Sequence, residues 1–302
     1  MAKIISIDIG GTTIKADVYT EKGVSLNDYK EVDSYIDYDK KSNTILKKVC
    51  CLVDDYIKKY DIDGVAISTA GVVDSQKGEI VYAGYTIPGY IGTNFYETIK
   101  QRFNLPVTVE NDVNSAALGE VWLGNAKGMS NVIMITVGTG IGGSIIVDGH
   151  IVTGHNFTAG EVGYIPIKGQ DWQNIASATA LVNLYERKSG KLLQNGRSFF
   201  SDIEKGDPIA KETLDIFVDH LTEGILTISY LLNPDVLVIG GGIFAEPAIL
   251  LSKIRCSLTG KVQDNRFLPK QIVAASLGNA AGRIGAVKHF LDQYPKVLES
   301  VE

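Results

Sequence analysis

The chain has 302 residues and a formal net charge of −6, and its apolar and charged fractions, 45% and 21%, are ordinary for a globular protein. The acidic balance and the lack of a basic run argue against a nucleic-acid or anionic-membrane surface. No stretch approaches the roughly 18 apolar residues of a membrane span, and the first residues lack a signal-peptide core. Three cysteines cannot form a disulfide framework, so we expect a reducing, cytoplasmic compartment.

The length favours two domains rather than one core. The first half predicts alternating strands and helices. These are strands over 3–10, 13–20 and 23–32, a helix over 43–61, a strand over 64–71, a helix over 95–104, a strand over 105–111 and a helix over 115–124.

The pattern of the chain start then recurs, because residues 131–154 again read as strand, Gly/Thr turn, strand, turn and strand. One recurrence predicts a duplicated lobe rather than a solenoid. The remaining predicted elements are helices over 176–190, 208–232, 247–258 and 280–294, and strands over 234–242 and 271–278.

Two turns rich in glycine and threonine join the first predicted hairpin of each half. Missing side chains let phosphate oxygens approach the backbone, and successive N–H groups with threonine hydroxyls form an anion-binding concavity. Neither turn fits the P-loop pattern, and a pair of glycine-containing hairpins is the alternative. Two such turns favour a phosphate site built from both halves. The candidate phosphate-binding residues are Gly10, Gly11, Thr12, Thr13, Gly138, Thr139 and Gly140.

A third glycine run, Gly240, Gly241 and Gly242, directly follows a predicted buried strand. It is compatible with a tight strand-to-helix turn and equally with a surface on which a nucleotide lies against the backbone.

The segment 107–120 packs two acids and two amides where a strand meets a helix. One interpretation is a polar loop with an Asn or Ser helix cap. The other is a ligand site, because ligands of open α/β proteins lie where strands end and helices begin.

Six segments in this order resemble the ROK family, which comprises bacterial sugar kinases and sugar-responsive repressors. The segments are DIGGTTIK, ENDVNSAALGE, VGTGIGGSIIVDGHIVTG, AGEVGY, NPDVLVIGGG and LGNAAGRIGAV. The resemblance covers nearly the whole chain. It implies an α/β, two-lobed actin/hexokinase-like (ribonuclease H-like) ATPase fold with a central cleft, ATP as donor, Mg²⁺ as metal, a sugar as acceptor and a homodimer. The implied lobes are a small one, 1–113 plus 286–302, and a large one, 114–285.

The same resemblance implies roles for single residues. Asp112 would be the general base that takes the proton from the attacking sugar hydroxyl, as phosphoryl transfer needs a base near the nucleophile. Asn111 would bind a sugar hydroxyl, and Glu161 would be a second sugar-binding carboxylate. Asp8 would lie near Mg²⁺ and the phosphates. The glycine run 240–242 would contact the nucleotide.

The resemblance and the local sequence also indicate roles for other positions. Gly71 and the segment 86–90 match the rim of the sugar pocket in the family. Asn114 is expected to cap the helix or support the loop, and Glu110 is expected to be structural or to face solvent.

The chain departs from the family at the zinc module. Tyr164 occupies the position of a histidine that ordinarily contacts zinc and sugar, and the cysteine-rich segment that usually follows is missing. Structural zinc needs about four spaced ligands, so we expect no structural zinc. Instead, Trp172, Ile165 and Ile167 are expected to pack this segment.

The departures leave the acceptor sugar open. Gln173 or Asn174 falls near the place of a sugar-binding glutamate of the family, and Thr86 replaces a usual asparagine. The chain is similar to a zinc-free branch that includes β-glucoside kinases and glucokinase-like proteins. Glucose, N-acetylmannosamine and a β-glucoside are the alternatives, with phosphorylation expected at the 6-hydroxyl.

Two further functions are alternatives to a kinase. A sugar-sensing regulator of this family would carry a helix-turn-helix domain before the first phosphate motif, which here already begins at Asp8. The acidic charge also disfavours DNA binding. A non-catalytic sugar-binding protein is disfavoured by the retained Asp112 and by both glycine turns.

Overall fold

A computed structural model of the chain describes residues 1–84, 87–193, 196–245 and 247–299. The elements up to residue 127 are β1 (Lys3–Ile9), β2 (Thr13–Thr20), β3 (Lys30–Asp33), β4 (Ile36–Asp37), β5 (Ser42–Asn43), α1 (Ile45–Ile57), β6 (Gly64–Thr69), β7 (Val72–Asp74), β8 (Glu79–Tyr82), α2 (Phe95–Phe103), β9 (Val107–Asn111) and α3 (Asp112–Leu123). These elements alternate between strand and helix as the sequence predicts, except that the strand predicted over 23–32 is only Lys30–Asp33 and that β4, β5, β7 and β8 were not predicted.

The elements of the remaining chain begin with the second copy of the strand pattern. They are β10 (Val132–Val137), β11 (Ile141–Val147), β12 (His150–Ile151), β13 (Pro166–Ile167), β14 (Gln170–Asp171), α4 (Trp172–Ala176), α5 (Ala178–Ser189), α6 (Gly196–Glu204), α7 (Pro208–Leu232), β15 (Val236–Gly240), α8 (Pro247–Lys261), β16 (Gln271–Ala274), α9 (Ala281–Gln293) and α10 (Lys296–Glu299). Short 3₁₀ helices cover Val162–Tyr164, Gly242–Ala245, Asn265–Phe267 and Gly278–Ala280.

Two compact units divide the chain. The first comprises Met1–Lys127, Thr153–Thr158 and Ser276–Glu302, and the second comprises Gly128–Val152 and Ala159–Ala275. Units defined by compactness need not coincide with domains, so the expected ranges 1–113 plus 286–302 and 114–285 stay a prediction.

The first unit is built on a five-stranded sheet with the order β3-β2-β1-β6-β9. The β1–β2 and β2–β3 pairs are antiparallel, whereas the β1–β6 and β6–β9 pairs are parallel. One face is apolar, with Ile5, Ile7 and Ile9 of β1 fully buried in a core that α1 helps to form. The opposite face carries Ser6 and Asp8, since successive side chains of a strand alternate between faces.

Helix α9 covers the polar face of this sheet and packs closely on α3. A Cβ on Gly285 would lie 1.5 Å from the Ser115 carbonyl oxygen, so only glycine permits this helix crossing. Ser6 Oγ donates a 2.8 Å hydrogen bond to the Arg283 carbonyl oxygen and links β1 to α9. Helix α9 therefore packs against the face of β1 that carries Ser6 and Asp8.

The second unit repeats this topology in the order β12-β11-β10-β15-β16. Its β10–β11 and β11–β12 pairs are antiparallel, and its β10–β15 and β15–β16 pairs are parallel. The predicted duplication is thus confirmed. The long helix predicted over 208–232 is α7, whose Asp207 side chain caps its N-terminus.

Two predicted helices differ from the structure. The helix predicted over 176–190 is preceded by α4, and Ser177 breaks the two helices with extended backbone while its hydroxyl caps α5. The helix predicted over 115–124 begins three residues earlier, at Asp112. In the described part of the chain, no helix is both long and apolar enough to cross a bilayer.

Candidate active site

Asp8 lies near the carboxyl end of β1 in a row of polar side chains that crosses the first sheet. It is in register with Lys15 on β2 and with Ser68 on β6, while Lys15 is in turn opposite Glu31 on β3. Ser68 Oγ donates a 3.0 Å hydrogen bond to Asp8 Oδ1. Burial raises the pKa of Asp8, and the Ser68 bond and the charges of Arg283 and Lys15 partly oppose that rise.

Two cations near Asp8, Lys15 in this row and Arg283 on α9, were not singled out by sequence patterns. Lys15 is half-buried, and its ammonium forms no ion pair or hydrogen bond within the described residues. Arg283 is 6% exposed; its Nε donates to Tyr19 Oη at 3.2 Å, whereas its buried Nη1 has no hydrogen-bond partner among the described residues. Their proximity to Asp8 could not be predicted from the sequence, because it depends on strand register and helix packing.

The turn from Gly10 to Thr13 is closed tightly and still leaves donors free. Gly10 N–H donates to the Thr13 carbonyl oxygen at 3.0 Å, and the Gly10 carbonyl accepts from Ser34 Oγ at 2.9 Å. Within the described residues, the N–H groups of Gly11 and Thr12 make no hydrogen bond. Two successive unpaired N–H groups form the kind of concavity that binds an anion.

The turn from Gly138 to Gly140 has the same property. Gly138 N–H donates to the Gly140 carbonyl oxygen at 3.0 Å, and the Gly138 carbonyl accepts from Ala178 N–H at 2.9 Å. In the described part of the chain, the N–H groups of Thr139 and Gly140 are unpaired. Thr139 is exposed at the tip of the turn.

Backbone conformation does not explain the glycines of these two turns. Primed hairpin turns would need glycine for positive φ, but Gly10, Gly11, Gly138 and Gly140 all lack positive φ. A Cβ on Gly138 would meet no atom within 4 Å. At Gly138 the missing side chain therefore keeps space open beside the unpaired N–H groups.

The third glycine run combines a structural and an open position. Gly241 has φ +105°, and a Cβ there would lie 2.2 Å from the Val137 carbonyl oxygen, so glycine is required by the fold. Gly240 is buried at the end of β15, where a Cβ would be 3.2 Å from Met134 Cε. A Cβ on Gly242 would meet nothing within 4 Å.

The polar segment at the end of β9 is organised by Asn111, which is the N-cap of α3. Its Oδ1 accepts from Val113 N–H at 2.8 Å and Asn114 N–H at 3.1 Å. Its Nδ2 donates to the Gly71 carbonyl oxygen at 3.0 Å. The expectation that Asn114 caps the helix was wrong, because the helix begins one turn earlier than the sequence suggested.

Glu110 and Asn114 support this cap from inside the protein. Glu110 is 3% exposed, and its Oε1 accepts from Asn111 N–H at 2.8 Å and from Asn114 Nδ2 at 3.0 Å. A structural role for Glu110 is confirmed, and the solvent-facing alternative was wrong. The loop-supporting alternative for Asn114 is confirmed by the same bond.

Asp112 is the first residue of α3, directly after this cap. Its Oδ1 accepts from Val113 N–H at 2.9 Å, and the side chain is half-buried. A carboxylate in the first turn of a helix interacts favourably with the helix dipole. Gly71, the other partner of Asn111, has φ +99°, and a Cβ there would lie 2.8 Å from the Tyr82 carbonyl oxygen.

The expected rim segment 86–90 is only partly described, since Thr86 lies outside the described residues. Tyr90 is fully buried, and its hydroxyl lies 2.5 Å from Thr69 Oγ1. Thr69 is in register with Asn111 across β6 and β9. Burial, together with the nearby charge of Asp112, raises the pKa of Tyr90.

Glu161 and Tyr164 lie around a short 3₁₀ helix of the second unit. Both side chains are exposed, and the carboxylate of Glu161 forms no hydrogen bond within the described residues. Desolvation by surrounding protein still raises the pKa of Glu161. Gly163 between them is tightly enclosed, because a Cβ there would lie 2.2 Å from the Ile141 carbonyl oxygen.

Trp172 anchors the segment in which the family usually has zinc ligands. It is fully buried, and its Nε1 donates to the His220 carbonyl oxygen on α7 at 3.1 Å. A Cβ on Gly224 of α7 would lie 2.1 Å from the indole. Ile167 is also buried and Ile165 partly so, which confirms the expected apolar packing.

A metal ion can be held by protein side chains alone or by a few side chains together with substrate phosphates. In the described ranges, no three His, Cys, Asp or Glu side chains converge in a way that could hold a metal ion alone. Mg²⁺ is usually bound by one or two carboxylates together with substrate phosphates and water. The Asp8 carboxylate beside a turn with unpaired N–H groups fits that pattern.

The whole chain is similar to known proteins. The model of the ROK family matches residues 4–293. An uncharacterized protein of Clostridium perfringens is 41% identical over 96% of this chain and 98% of its own length. A β-glucoside kinase of Listeria innocua is 30% identical over 96% of this chain and 98% of its own length.

A solved structure agrees with these relatives. A ROK family glucokinase from Streptomyces griseus, in complex with glucose and AMPPNP, has a TM-score of 0.78 and 28% identity, covering 95% of this chain and 99% of its own. The likeness confirms the expected actin/hexokinase-like α/β fold. With its duplicated sheets, its two glycine turns and a family match across nearly its whole length, this chain belongs to the ROK family.

Proposed function

We propose that this protein is an ATP-dependent sugar kinase that transfers the γ-phosphate to the 6-hydroxyl of a hexose or hexoside. The observation that carries the proposal is Asp112, a carboxylate held at the first position of α3 by the Asn111 cap. Support comes from the glucokinase and β-glucoside kinase relatives, which span nearly the whole chain.

Asp112 is the proposed general base. Phosphoryl transfer depends on positioning, on charge stabilisation and on a base near the attacking oxygen. The two hydrogen bonds that Asn111 Oδ1 accepts from the N–H groups of Val113 and Asn114 fix the start of α3, and with it the backbone of Asp112. A fixed carboxylate accepts the sugar proton without first having to be ordered.

The phosphates are proposed to lie against the unpaired N–H groups. Gly11 and Thr12 offer one pair, and Thr139 and Gly140 offer another. The open positions at Gly138 and Gly242 suit a nucleotide that approaches the backbone. Asp8 is the proposed magnesium ligand, and bound Mg²⁺ would neutralise charge on the transferring phosphoryl group.

The acceptor sugar is proposed to contact side chains near Asp112 and Glu161. Asn111 Nδ2 uses one of its two N–H groups on Gly71, which leaves the other for a sugar hydroxyl. Glu161 has an acceptor-only carboxylate with no protein partner in the described residues, and Tyr164 adds an exposed hydroxyl. By likeness to the family, we also propose a cytoplasmic homodimer.

A coupled assay of ADP release across a panel of sugars tests the proposal. The panel contains glucose, N-acetylmannosamine, methyl β-glucoside and cellobiose, each with ATP and Mg²⁺. We expect sugar-dependent ADP release well above the sugar-free rate for at least one of them. Sugar binding by calorimetry with no sugar-dependent ADP release would favour a non-catalytic sugar-binding protein instead.

A further inference from the structure

Gln173 places an unpartnered amide between two glycine-lined segments of the second unit. A Cβ on Gly140 would lie 2.7 Å from Gln173 Oε1, and a Cβ on Gly163 would lie 3.2 Å from the same atom. The side chain therefore lies against both the Gly138–Gly140 turn and the Glu161–Tyr164 segment. Its placement became visible only in three dimensions.

The amide of Gln173 is held in place but chemically unused. The preceding Trp172 is fully buried and bonded to α7, which fixes the short helix α4 that carries Gln173. Within the described residues, the Gln173 side chain makes no hydrogen bond, although it is half-buried. A half-buried amide with open donor and acceptor positions is available to a ligand.

The neighbouring Asn174 lies elsewhere. It lines a cavity of about 620 Å³ together with Arg187 and His220. Asn174 is exposed there, and it does not approach the glycines that Gln173 contacts. Of the two residues that the sequence left open, only Gln173 lies beside the candidate sugar and phosphate segments.

We propose that Gln173 is a specificity-determining residue that admits hexosides, meaning sugars in which one hydroxyl has become an ether oxygen. The inference rests on the kinase function proposed above. An ether oxygen has no proton and can only accept a hydrogen bond. A carboxylate at position 173 could likewise only accept a hydrogen bond, so it would need a sugar hydroxyl as the donor. The Gln173 amide can donate to an ether oxygen and can also serve a hydroxyl.

The test compares kcat/KM for methyl β-glucoside with kcat/KM for glucose in wild type and in Gln173→Glu. Wild type is expected to phosphorylate the glucoside, and Gln173→Glu is expected to lower the glucoside-to-glucose ratio by about tenfold or more, since one donor is lost and two acceptors then face each other. The added charge lies close to the Gly138–Gly140 turn and could weaken nucleotide binding. That effect acts on both sugars and cancels in the ratio.

Asn174→Asp is the matched control, because it makes the same amide-to-carboxylate change one residue further along. Its glucoside-to-glucose ratio should equal that of wild type. Gln173→Met, which keeps the volume without hydrogen bonding, checks that the segment still folds and should also lower the ratio. Melting temperatures of all three variants are compared with wild type.

Four results would overturn the inference. A wild type that phosphorylates glucose but not the glucoside would leave the kinase proposal intact and remove this one. An unchanged ratio in Gln173→Glu, or an equal fall in Asn174→Asp, would do the same. A wild type that phosphorylates no sugar would overturn the kinase proposal and this inference together.

Discussion

The two five-stranded sheets share one topology but differ in the row of residues next to the glycine turns. In the first sheet this row is Glu31, Lys15, Asp8, Ser68 and Glu110, in register across the five strands. In the second sheet the matching row holds Gly142, Thr136 and Gly240. The duplicated framework thus presents charged and hydroxyl groups in one copy and mostly bare backbone in the other.

The same contrast holds where the last parallel strand ends. β9 leads into Asn111 and Asp112, and so into a capped helix with a carboxylate in its first turn. β16 ends at Ala274 and is followed by Ala275. A glycine row leaves room for a ligand to lie on the backbone, whereas a charged row supplies groups that react or bind metal. Under the proposed function, the first copy would supply the general base and the magnesium ligand, and the glycine row of the second copy would leave room for the nucleotide.

The largest effect is expected from Asp112→Asn, which removes the carboxylate that distinguishes the first copy. Loss of a general base typically lowers the rate by about 10²- to 10⁴-fold. The fall should appear in kcat more than in KM, because the Asn111 cap and its contacts stay in place. Steady-state kinetics with the best sugar of the panel measures both constants.

Glu97→Gln is the matched control for Asp112→Asn. Glu97 is an exposed first-turn acid of α2, so the change removes charge at a helix start without touching the site. Its turnover should equal that of wild type. Near-normal turnover in Asp112→Asn would contradict the proposal that Asp112, in the first copy, is the general base.

A smaller effect, on stability, is expected from Gly241→Ala. Its φ of +105° and the 2.2 Å approach of a Cβ to the Val137 carbonyl oxygen predict strain of about 1–3 kcal/mol in the free energy of unfolding. Chemical denaturation measures it. Gly242→Ala, where a Cβ meets nothing within 4 Å, should leave the unfolding midpoint unchanged. Equal midpoints for both variants would mean that Gly241 is not required by the fold.

Gly138→Val and Gly10→Val should affect binding while sparing the fold. A Cβ meets no atom within 4 Å at Gly138 and only the Thr13 carbonyl oxygen, at 3.4 Å, at Gly10. A branched side chain there would occupy the space beside the unpaired N–H groups. We expect the Kd for AMPPNP to rise by about tenfold or more, or ~1.4 kcal/mol, by calorimetry.

Gly260→Val in α8 is the control for these variants, because a Cβ there also meets open space. Its AMPPNP affinity should match that of wild type. If both turn variants bind AMPPNP as tightly as the control, the unpaired N–H groups do not hold phosphate.

No effect at all is expected from a zinc-selective chelator, provided that Mg²⁺ is resupplied. A structural zinc site supplies folding energy, so stripping it loosens the segment that it holds. Here Trp172 is buried against α7 and orders that segment by apolar packing. A melting curve with and without chelator measures the difference. Stoichiometric zinc by elemental analysis, with a clear fall in melting temperature on removal, would contradict the packing account.

Local patterns predicted the framework well. The strand-turn-strand repeat, the glycine turns and the helix over 208–232 depend on near neighbours in the chain, and the structure confirms them. The start of α3 did not follow from the sequence. Both Asn111 and Asn114 are good caps, and the choice between them depends on where β9 ends and on the bond to Gly71, which is distant in sequence.

Contacts between residues that are distant in sequence could not be predicted for the same reason. Lys15 and Arg283 became neighbours of Asp8 only through strand register and the packing of α9 on the sheet. Gln173 and Asn174 are adjacent and chemically alike, and the burial of Trp172 decides which of them faces the glycine segments. A residue's neighbours in the chain carry no information about these contacts.

The position of the transferred phosphate tests directly whether the protein is a sugar 6-kinase. Wild-type protein, ATP, Mg²⁺ and the best acceptor of the sugar panel are incubated together, and the products are followed by ³¹P and ¹³C nuclear magnetic resonance. We expect ADP and a sugar carrying phosphate at carbon 6 in equal amounts. ADP accompanied only by inorganic phosphate, or unchanged ATP in the presence of bound sugar, would contradict it.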